Sequence, residues 1–379
     1  MNKLFRITTV PISVEKLLGN QLTFMNDFFE VTAISADEEN LKKAGEKLGV
    51  KTHSIEMTRQ ITPIKDLKSL WQMYCYFRKE KPTIVHTHTP KAGLIGMMAA
   101  KMAGVKIRLH TVAGLPLMEA SGFRRKVLNI VEKITYFCAT KVYPNSFGLQ
   151  EFILNEKFCH SAKLKVIGNG STNGINIDFF SQDSVSEQDK LLLRKELNIS
   201  DSDFVFVFVG RLVKDKGIQE LVSAFHKLSV REKNIKLLLV GPFEQKLDPL
   251  DKDTLLEINN NSNIISVGYQ KDVRPYFSIS NALVFPSYRE GFPNVVLQSL
   301  AMQLPVIVSD INGCNEIVEN NLNGIIVPPK NSTAIYQAMS DYLNPIFYNQ
   351  IKSEARQSIL KYEQHTLWQS ILKEYQSFM

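Results

Sequence analysis

A chain of 379 residues, 44% hydrophobic and 22% charged, can bury a large core and is long enough for two domains, which excludes a disordered or fibrous protein. The formal net charge of +7 admits a nucleic acid, an anionic membrane surface or a phosphorylated ligand. The basic residues are interleaved with acidic ones, and no zinc-finger spacing or paired RNA-binding aromatics occur, so nucleic acid is not an expected partner.

The N-terminus, MNKLFRITTV, reads as a first strand and not as a signal peptide. Phe5 to Val10 is the strand, Gly19 is expected to end a loop, and a helix follows from about Asn20. Glu30 to Ser35 and Thr52 to Ile55 read as strands, with a helix from Leu41 closed by Gly49. Leu67 to Lys79 is a helix and Thr83 to His86 a strand. The strand runs into His86, Thr87, His88 and Thr89, and Pro90 opens a helix of small residues to Met102. Two histidines at i,i+2 could ligate a metal, but no carboxylate or cysteine completes a set, so no metal site is expected. That helix is too short and too interrupted to span a bilayer. Lys106 to Thr111 is a strand with His110 at its C-terminal end. A glycine-punctuated loop, a helix from Arg124 to Cys138, a strand Lys141 to Pro144 and a helix Ser146 to Asn155 follow. Leu164 to Gly168 is expected to be a further strand entering the loop GNGSTNG. Arg124, Arg125 and Lys126 form the densest basic cluster, suited to an anionic membrane surface.

Ser181 to Asp189 is polar and weakly patterned, the best boundary candidate. The expected division is 1–180, 190–352, and a C-terminal helix within 353–379 packing back on the first domain. In the second half, Leu191 to Leu197 opens as a helix and Asp203 to Val209 is a buried strand. The strand ends in GRLVKDKG, Gly210 to Gly217, before a helix to Val230. Strand, glycine loop and helix is a phosphate-binding arrangement; Arg211 can grip two oxygens as a fork and Lys216 can act as a point charge. Strands at Ile235 to Val240 and Ile264 to Val267 follow, the second leading to Tyr269. Ala282 to Phe285 is a strand, SYREG from Ser287 a polar turn, and Pro293 to Met302 a helix with Pro293 in its first turn. Pro305 to Val308 and Gly324 to Val327 are strands, Thr333 to Leu343 a helix, and Glu354 to Tyr375 one long helix with a possible break near Glu363. The fold class is therefore α/β: two doubly wound, Rossmann-like parallel sheets, with a crevice between them as the default site. Four scattered cysteines, Cys75, Cys138, Cys159 and Cys314, suit a reducing, cytoplasmic setting.

Together with HTHTPKAG from His86, LHTVAG from Leu109 and DINGCNEI from Asp310, the segments GRLVKDKG and SYREGFPNVVLQ resemble the paired signature of family 4 glycosyltransferases with the GT-B fold, over nearly the whole chain. The resemblance implies retaining transfer of a hexose or N-acetylated hexose from a nucleotide-diphosphate donor, expected to be a UDP-sugar. No metal or other cofactor is implied: Arg211 and Lys216 match the basic pair that binds the diphosphate in place of a metal. Glu290 matches the acidic residue that contacts the donor sugar. Gly291, Phe292, Pro293 and Asn294 match the turn and helix start that approach the sugar and phosphates. His110 matches the histidine facing the transferring sugar, and Gly19 the glycine of the first loop. Gly210 and Tyr269 complete the donor-side candidates. Gln298 stands where the family generally has a second acidic residue for the ribose; an amide still offers both a donor and an acceptor. The implied acceptor is a polyprenyl-diphosphate-linked saccharide at the inner face of the membrane, in capsule or O-antigen synthesis. The alternatives are a soluble small acceptor, a GT-B epimerase, or a non-catalytic sugar-nucleotide binder.

Overall fold

The computed structural model describes residues 1–58, 60, 62–244 and 248–379. It divides the chain into two units, Met1–Gly174 with Gln364–Met379, and Ile175–Glu363.

The first unit holds six parallel strands: β1 Lys3–Ile7, β2 Glu30–Ser35, β3 Lys51–Ser54, β4 Ile84–Thr87, β5 Ile107–Val112 and β6 Lys141–Pro144, in the order β3-β2-β1-β4-β5-β6. The second repeats the plan with β7 Phe204–Val209, β8 Ile235–Val240, β9 Ile264–Gly268, β10 Ala282–Phe285, β11 Val306–Ser309 and β12 Gly324–Val327, ordered β12-β11-β10-β7-β8-β9. Central strands covered by helices on both faces need continuous apolar side chains. FVFVFV of β7 supplies them, with Val205 to Phe208 fully buried. At the edge, β3 is KTHS, half-exposed. Helix starts are fixed by short polar caps: Asp37 accepts from the Asn40 amide, Ser146 from Leu149 and Asp251 from Thr254.

The expected α/β doubly wound class is what the chain adopts, with four local corrections. Pro11–Ser13 and Val14–Leu18 are helical, the latter with π spacing, where a loop was expected. Buried Val14 and Leu18 hold that turn to the sheet and Gly19, at φ 47°, ends it. Leu164 to Gly168 is not a strand: it meets β6 at one bridge, Val142 to Leu164, and then turns, with the Gly170 amide bonded to the Ile167 carbonyl. Pro293 is extended (φ −77°, ψ 107°) and precedes the helix Asn294–Ala301 instead of sitting in its first turn. The expected final helix Glu354 to Tyr375 does break at Glu363, before Gln364–Gln376, but its first part is the end of the helix Pro345–Ala355 and a 3-10 segment, Gln357–Tyr362. The break is tertiary in origin. Arg356 donates to the carbonyls of Ala301, Ile177 and Phe180, and Tyr362 to that of Glu316. Ser181 to Asp189 lies inside the second unit, as a 3-10 turn and the start of the helix Glu187–Glu196.

The helix Gln364–Gln376 belongs to the first unit. Leu367, Ile371, Leu372 and Tyr375 share a core with Leu4, Val14 and Leu22. The Tyr375 hydroxyl meets His86 Nδ1 at 2.5 Å and the Trp368 indole donates to Asn173 at 2.8 Å.

Candidate functional site

In a doubly wound sheet, ligands bind beyond the carboxyl ends of the strands where the strand order reverses. That point lies between β7 and β10 in the second unit, and the two loops leaving these strands are GRLVKDKG and SYREGFP. Two glycines let the loops close together. A Cβ on Gly217 (φ 70°) would lie 2.1 Å from the Pro286 carbonyl oxygen, and one on Gly313 (φ 75°) 2.3 Å from that of Gly291. Backbone contacts finish the joint: the Tyr288 amide donates to the Asp215 carbonyl at 2.9 Å, and Arg289 pairs with the Asp215 carboxylate at 3.1 Å.

This packing brings Lys216 and Glu290 into a direct ion pair, with side chains 18% and 17% exposed. Ser287, three residues earlier, donates to the same Glu290 oxygen at 2.9 Å. Charge-assisted bonds of this kind are strong and directional. Buried Cys314 lies beside the pair, its thiol pushed well up by burial and then by the Glu290 charge. Arg211 is exposed and, among the described residues, has no ion-pair partner, so its guanidinium remains available to an incoming anion. Behind the loops, the Tyr288 hydroxyl donates to Glu220 at 2.6 Å and Lys330 stands 4.8 Å over the Tyr288 ring.

The helix Asn294–Ala301 begins next to this pair, and no side chain caps it. Among the described residues the amides of Asn294 and Val295 are left open to an acceptor, while that of Val296 donates to the Pro293 carbonyl at 3.1 Å. Phe292 contributes only backbone here: its ring is buried and packs edge-on against Tyr362 at 5.3 Å. Gln298 is half-buried one turn along the same helix. Gly241, at φ 152°, lets the β8 loop touch the β7 loop at Gly210: a Cβ on Gly241 would be 1.8 Å from the Gly210 carbonyl oxygen. Tyr269, 65% exposed, follows edge strand β9, two strands from β7, and is not brought into the Lys216 and Glu290 cluster.

Gly19 and His110 belong to the first unit. There the order reverses between β1 and β4, and Gly19 closes the helical turn after β1. His110 on β5 is aligned with Thr87 on β4 and buried, its Nδ1 2.7 Å from the Thr87 hydroxyl. Gly93 is pressed onto the ring: a Cβ there would be 2.5 Å from His110 Cε1. Burial lowers the pKa of His110 to about 4, partly opposed by hydrogen bonding at Thr87, so the imidazole is neutral at pH 7. His86 and His88, weighed above as ligands, are buried; His86 spends both nitrogens on the hydroxyls of Tyr375 and Thr111.

Ser287, Gly217 and Gly313 were quoted in the sequence motifs without a role, and the fold gives each one. The signal was spacing: a hydroxyl three residues before the carboxylate, and glycines that end or open tight turns.

Residues 189–358 match the family described as Glycosyl transferases group 1, and residues 24–170 the Glycosyl transferase 4-like domain. The chain is 34% identical over 379 residues to the capsular polysaccharide biosynthesis glycosyltransferase CapM of Staphylococcus aureus, covering 100% of this chain and 97% of the relative. It is 32% identical over 279 residues to the UDP-Gal:alpha-D-GlcNAc-diphosphoundecaprenol alpha-1,3-galactosyltransferase of Escherichia coli, covering 72% and 69%. Among solved structures, HepE from Anabaena in complex with UDP superposes with a TM-score of 0.82 at 18% identity, over 100% of both chains.

Proposed function

This chain belongs to the family 4-like glycosyltransferases of the GT-B fold, and from that premise we propose how its residues serve the reaction and what they act on. It is a nucleotide-sugar-dependent glycosyltransferase of polysaccharide biosynthesis. The observation that carries the proposed mechanism is the Lys216 and Glu290 ion pair at the strand-order reversal of the second unit.

Cleaving the bond between a sugar's anomeric carbon and a diphosphate oxygen leaves positive character on the carbon and negative charge on the leaving group. Lys216, Arg211 and the uncapped amides at Asn294 are the groups that meet that negative charge; preorganised charge is often the largest single catalytic contribution. Glu290, held by Ser287 and Lys216, accepts from sugar hydroxyls and fixes the sugar over the diphosphate. Gln298 is the ribose candidate. Transfer proceeds with retention: the acceptor oxygen attacks on the face the diphosphate leaves, and its proton passes to the departing phosphate oxygen. His110, neutral at pH 7, faces the transferring sugar as a hydrogen-bonding partner.

The proposed donor is a UDP-sugar, supported by the name of the E. coli relative. For the acceptor, the broader alternative is the better supported one: a saccharide hydroxyl whose carrier is open, including a soluble saccharide. The S. aureus relative, alike over the full chain, is named for capsule synthesis without a carrier, and the lipid-linked reading rests on the E. coli relative's name. A peripheral membrane position draws support from the helix Gly122–Cys138. Phe123, Ile130, Ile134 and Phe137, at i, i+7, i+11 and i+14, form an exposed apolar stripe flanked by exposed Arg124, Lys126 and Lys133, while its one carboxylate, Glu132, is buried. Such a face suits anionic headgroups. No helix among the described residues is long and apolar enough to cross a membrane.

The test is a transfer assay with UDP-, GDP-, ADP- and dTDP-sugars against a soluble saccharide and a diphosphopolyprenyl-linked one. Transfer from a UDP-sugar that disappears in Lys216→Met and Glu290→Gln supports the reading; donor binding with neither transfer nor slow donor hydrolysis would sink it. Activity confined to the lipid-linked substrate would restore the narrower acceptor.

A further inference from the structure

Arg6, on β1, is 1% exposed, and among the described residues no carboxylate lines the cavity beside it. Its Nε donates to His88 Nε2 at 2.9 Å and its Nη2 to Gln21 Oε1 at 2.6 Å. Because the guanidinium Nε always carries hydrogen, His88 Nε2 is the acceptor, and the neutral imidazole holds its proton on Nδ1. Two donors are then left without a partner among the described residues, Arg6 Nη1 and His88 Nδ1; one acceptor, Asn145 Oδ1, is also unmet. All three residues line one cavity of about 20 Å³ in the first unit, roofed by Thr172 and by Leu367 and Ile371 of the C-terminal helix.

The charges around it do not balance. The titratable groups facing the cavity are His86, His88 and Tyr143, with Tyr375 behind His86. Burial, then the Arg6 charge or the neighbouring histidine, keeps both His86 and His88 from protonating, and burial keeps Tyr143 and Tyr375 as phenols. Glu374, the nearest carboxylate in this network, lies outside the cavity and is engaged by Lys165 and the Tyr143 hydroxyl. One buried positive charge remains with neutral partners. A charge left in that state is strongly destabilising unless something offsets it. A water could satisfy the hydrogen bonds and would leave the charge uncompensated.

We propose that this cavity is a binding site for a small monoanion, held between Arg6 Nη1 and His88 Nδ1 beneath the C-terminal helix. A cavity of about 20 Å³ admits an ion on the scale of one water, so the occupant is a halide such as chloride, which lies against the guanidinium and accepts from both donors. Occupancy braces the helix, because Leu367 and Ile371 form one wall and Gln21 is tied through Asn173 to the Trp368 indole. The site is built entirely from residues of the first unit and does not depend on the proposed reaction.

The experiment is thermal unfolding of the full chain at pH 8 and constant ionic strength in sodium gluconate or chloride. The expected result is a saturable rise in Tm of several degrees in chloride and none in gluconate. Arg6→Met, which removes the charge and keeps the bulk, should abolish the anion dependence without lowering Tm in gluconate. Equal Tm values in the two salts, or a dependence that survives in Arg6→Met, would overturn the proposal. Should that variant fail to fold, wild-type crystals grown in bromide decide: an anomalous peak beside Arg6 Nη1 supports the site, and a water there with no peak refutes it.

Discussion

Replacing Lys216 by Met tests whether the loops after β7 and β10 are held by one charge pair. The change leaves Glu290 with Ser287 as its remaining side-chain partner, its side chain 17% exposed. Stranding a fully buried ion costs about 3–5 kcal/mol; partial water access roughly halves that, to about 2 kcal/mol. For a unit of this size, about 2–4 °C of Tm accompany each kcal/mol, so Lys216→Met should lower the second unit's transition by roughly 4–8 °C. Glu290→Gln keeps a carbonyl for Lys216 and Ser287 and loses charge assistance only, about 1 kcal/mol and so about half that shift or less. The double variant strands nothing, and its loss should fall short of the sum by about 1–2 kcal/mol. Calorimetry of the four proteins measures the coupling, and a parallel donor-turnover assay should show each variant down at least about 100-fold in kcat/KM, the scale for removing one charge-stabilising group. Strict additivity of the Tm shifts, or a Lys216→Met protein with unchanged turnover, would refute the coupling of the two loops.

Gly93→Ala should destabilise, although a helical glycine normally gains about 1 kcal/mol from this change: the new methyl sits 2.5 Å from His110 Cε1, and overpacking costs roughly 1–3 kcal/mol. A lower Tm with reduced kcat is expected; a gain in Tm would show the ring is free to move. Glu132 is buried in the helix Gly122–Cys138, and burial raises its pKa to about 7, above the ordinary carboxylate value. The folded state therefore binds a proton more tightly than the unfolded state, so this contribution is fully present below about pH 4.5 and is lost as pH rises through 7. Glu132→Gln should accordingly raise stability at pH 8, by on the order of 3 kcal/mol, with a matching rise in Tm, and leave it unchanged at pH 4.5; equal shifts at both values would contradict this. Gln298→Glu should leave donor affinity intact or tighten it by about 1 kcal/mol through a charge-assisted bond to the ribose. Calorimetric titration that finds affinity unmoved by both Glu and Ala at 298 would remove this side chain from the site.

Much of the sheet architecture was legible because buried parallel strands must be nearly continuous apolar runs, and FVFVFV or VIVS bounded by turn residues permit little else. Two of the misreadings have one cause, contacts remote in sequence. Ile167 and its neighbours are apolar enough for a strand, but β6 accepts a single bridge at Leu164. The final helical pattern runs on through Arg356, whose guanidinium is claimed by three carbonyls from elsewhere in the second unit. In the site, Lys216 and Glu290 could each be picked out from loop position and motif. That they bond to each other depends on Gly217 and Gly313 admitting close backbone contact, which is a three-dimensional fact. Arg6 was invisible for a related reason: in KLFRI the arginine alone gives no sign of burial, and only the fold shows it surrounded.

The two units reach different chemistry from one strand order. At the reversal in the second unit the loops carry Arg211, Lys216 and an uncapped helix start, which suit the proposed leaving diphosphate, and Glu290, proposed for the sugar. At the reversal in the first unit the side chains are hydroxyls and imidazoles. Thr9 and Thr89 share a 2.7 Å bond, Thr87 meets His110, and burial holds His86, His88 and His110 neutral. Arg6 is the exception, a full positive charge set behind these neutral groups. If it stayed uncompensated it would oppose the neutral character of its surroundings, and a monoanion of its own restores it.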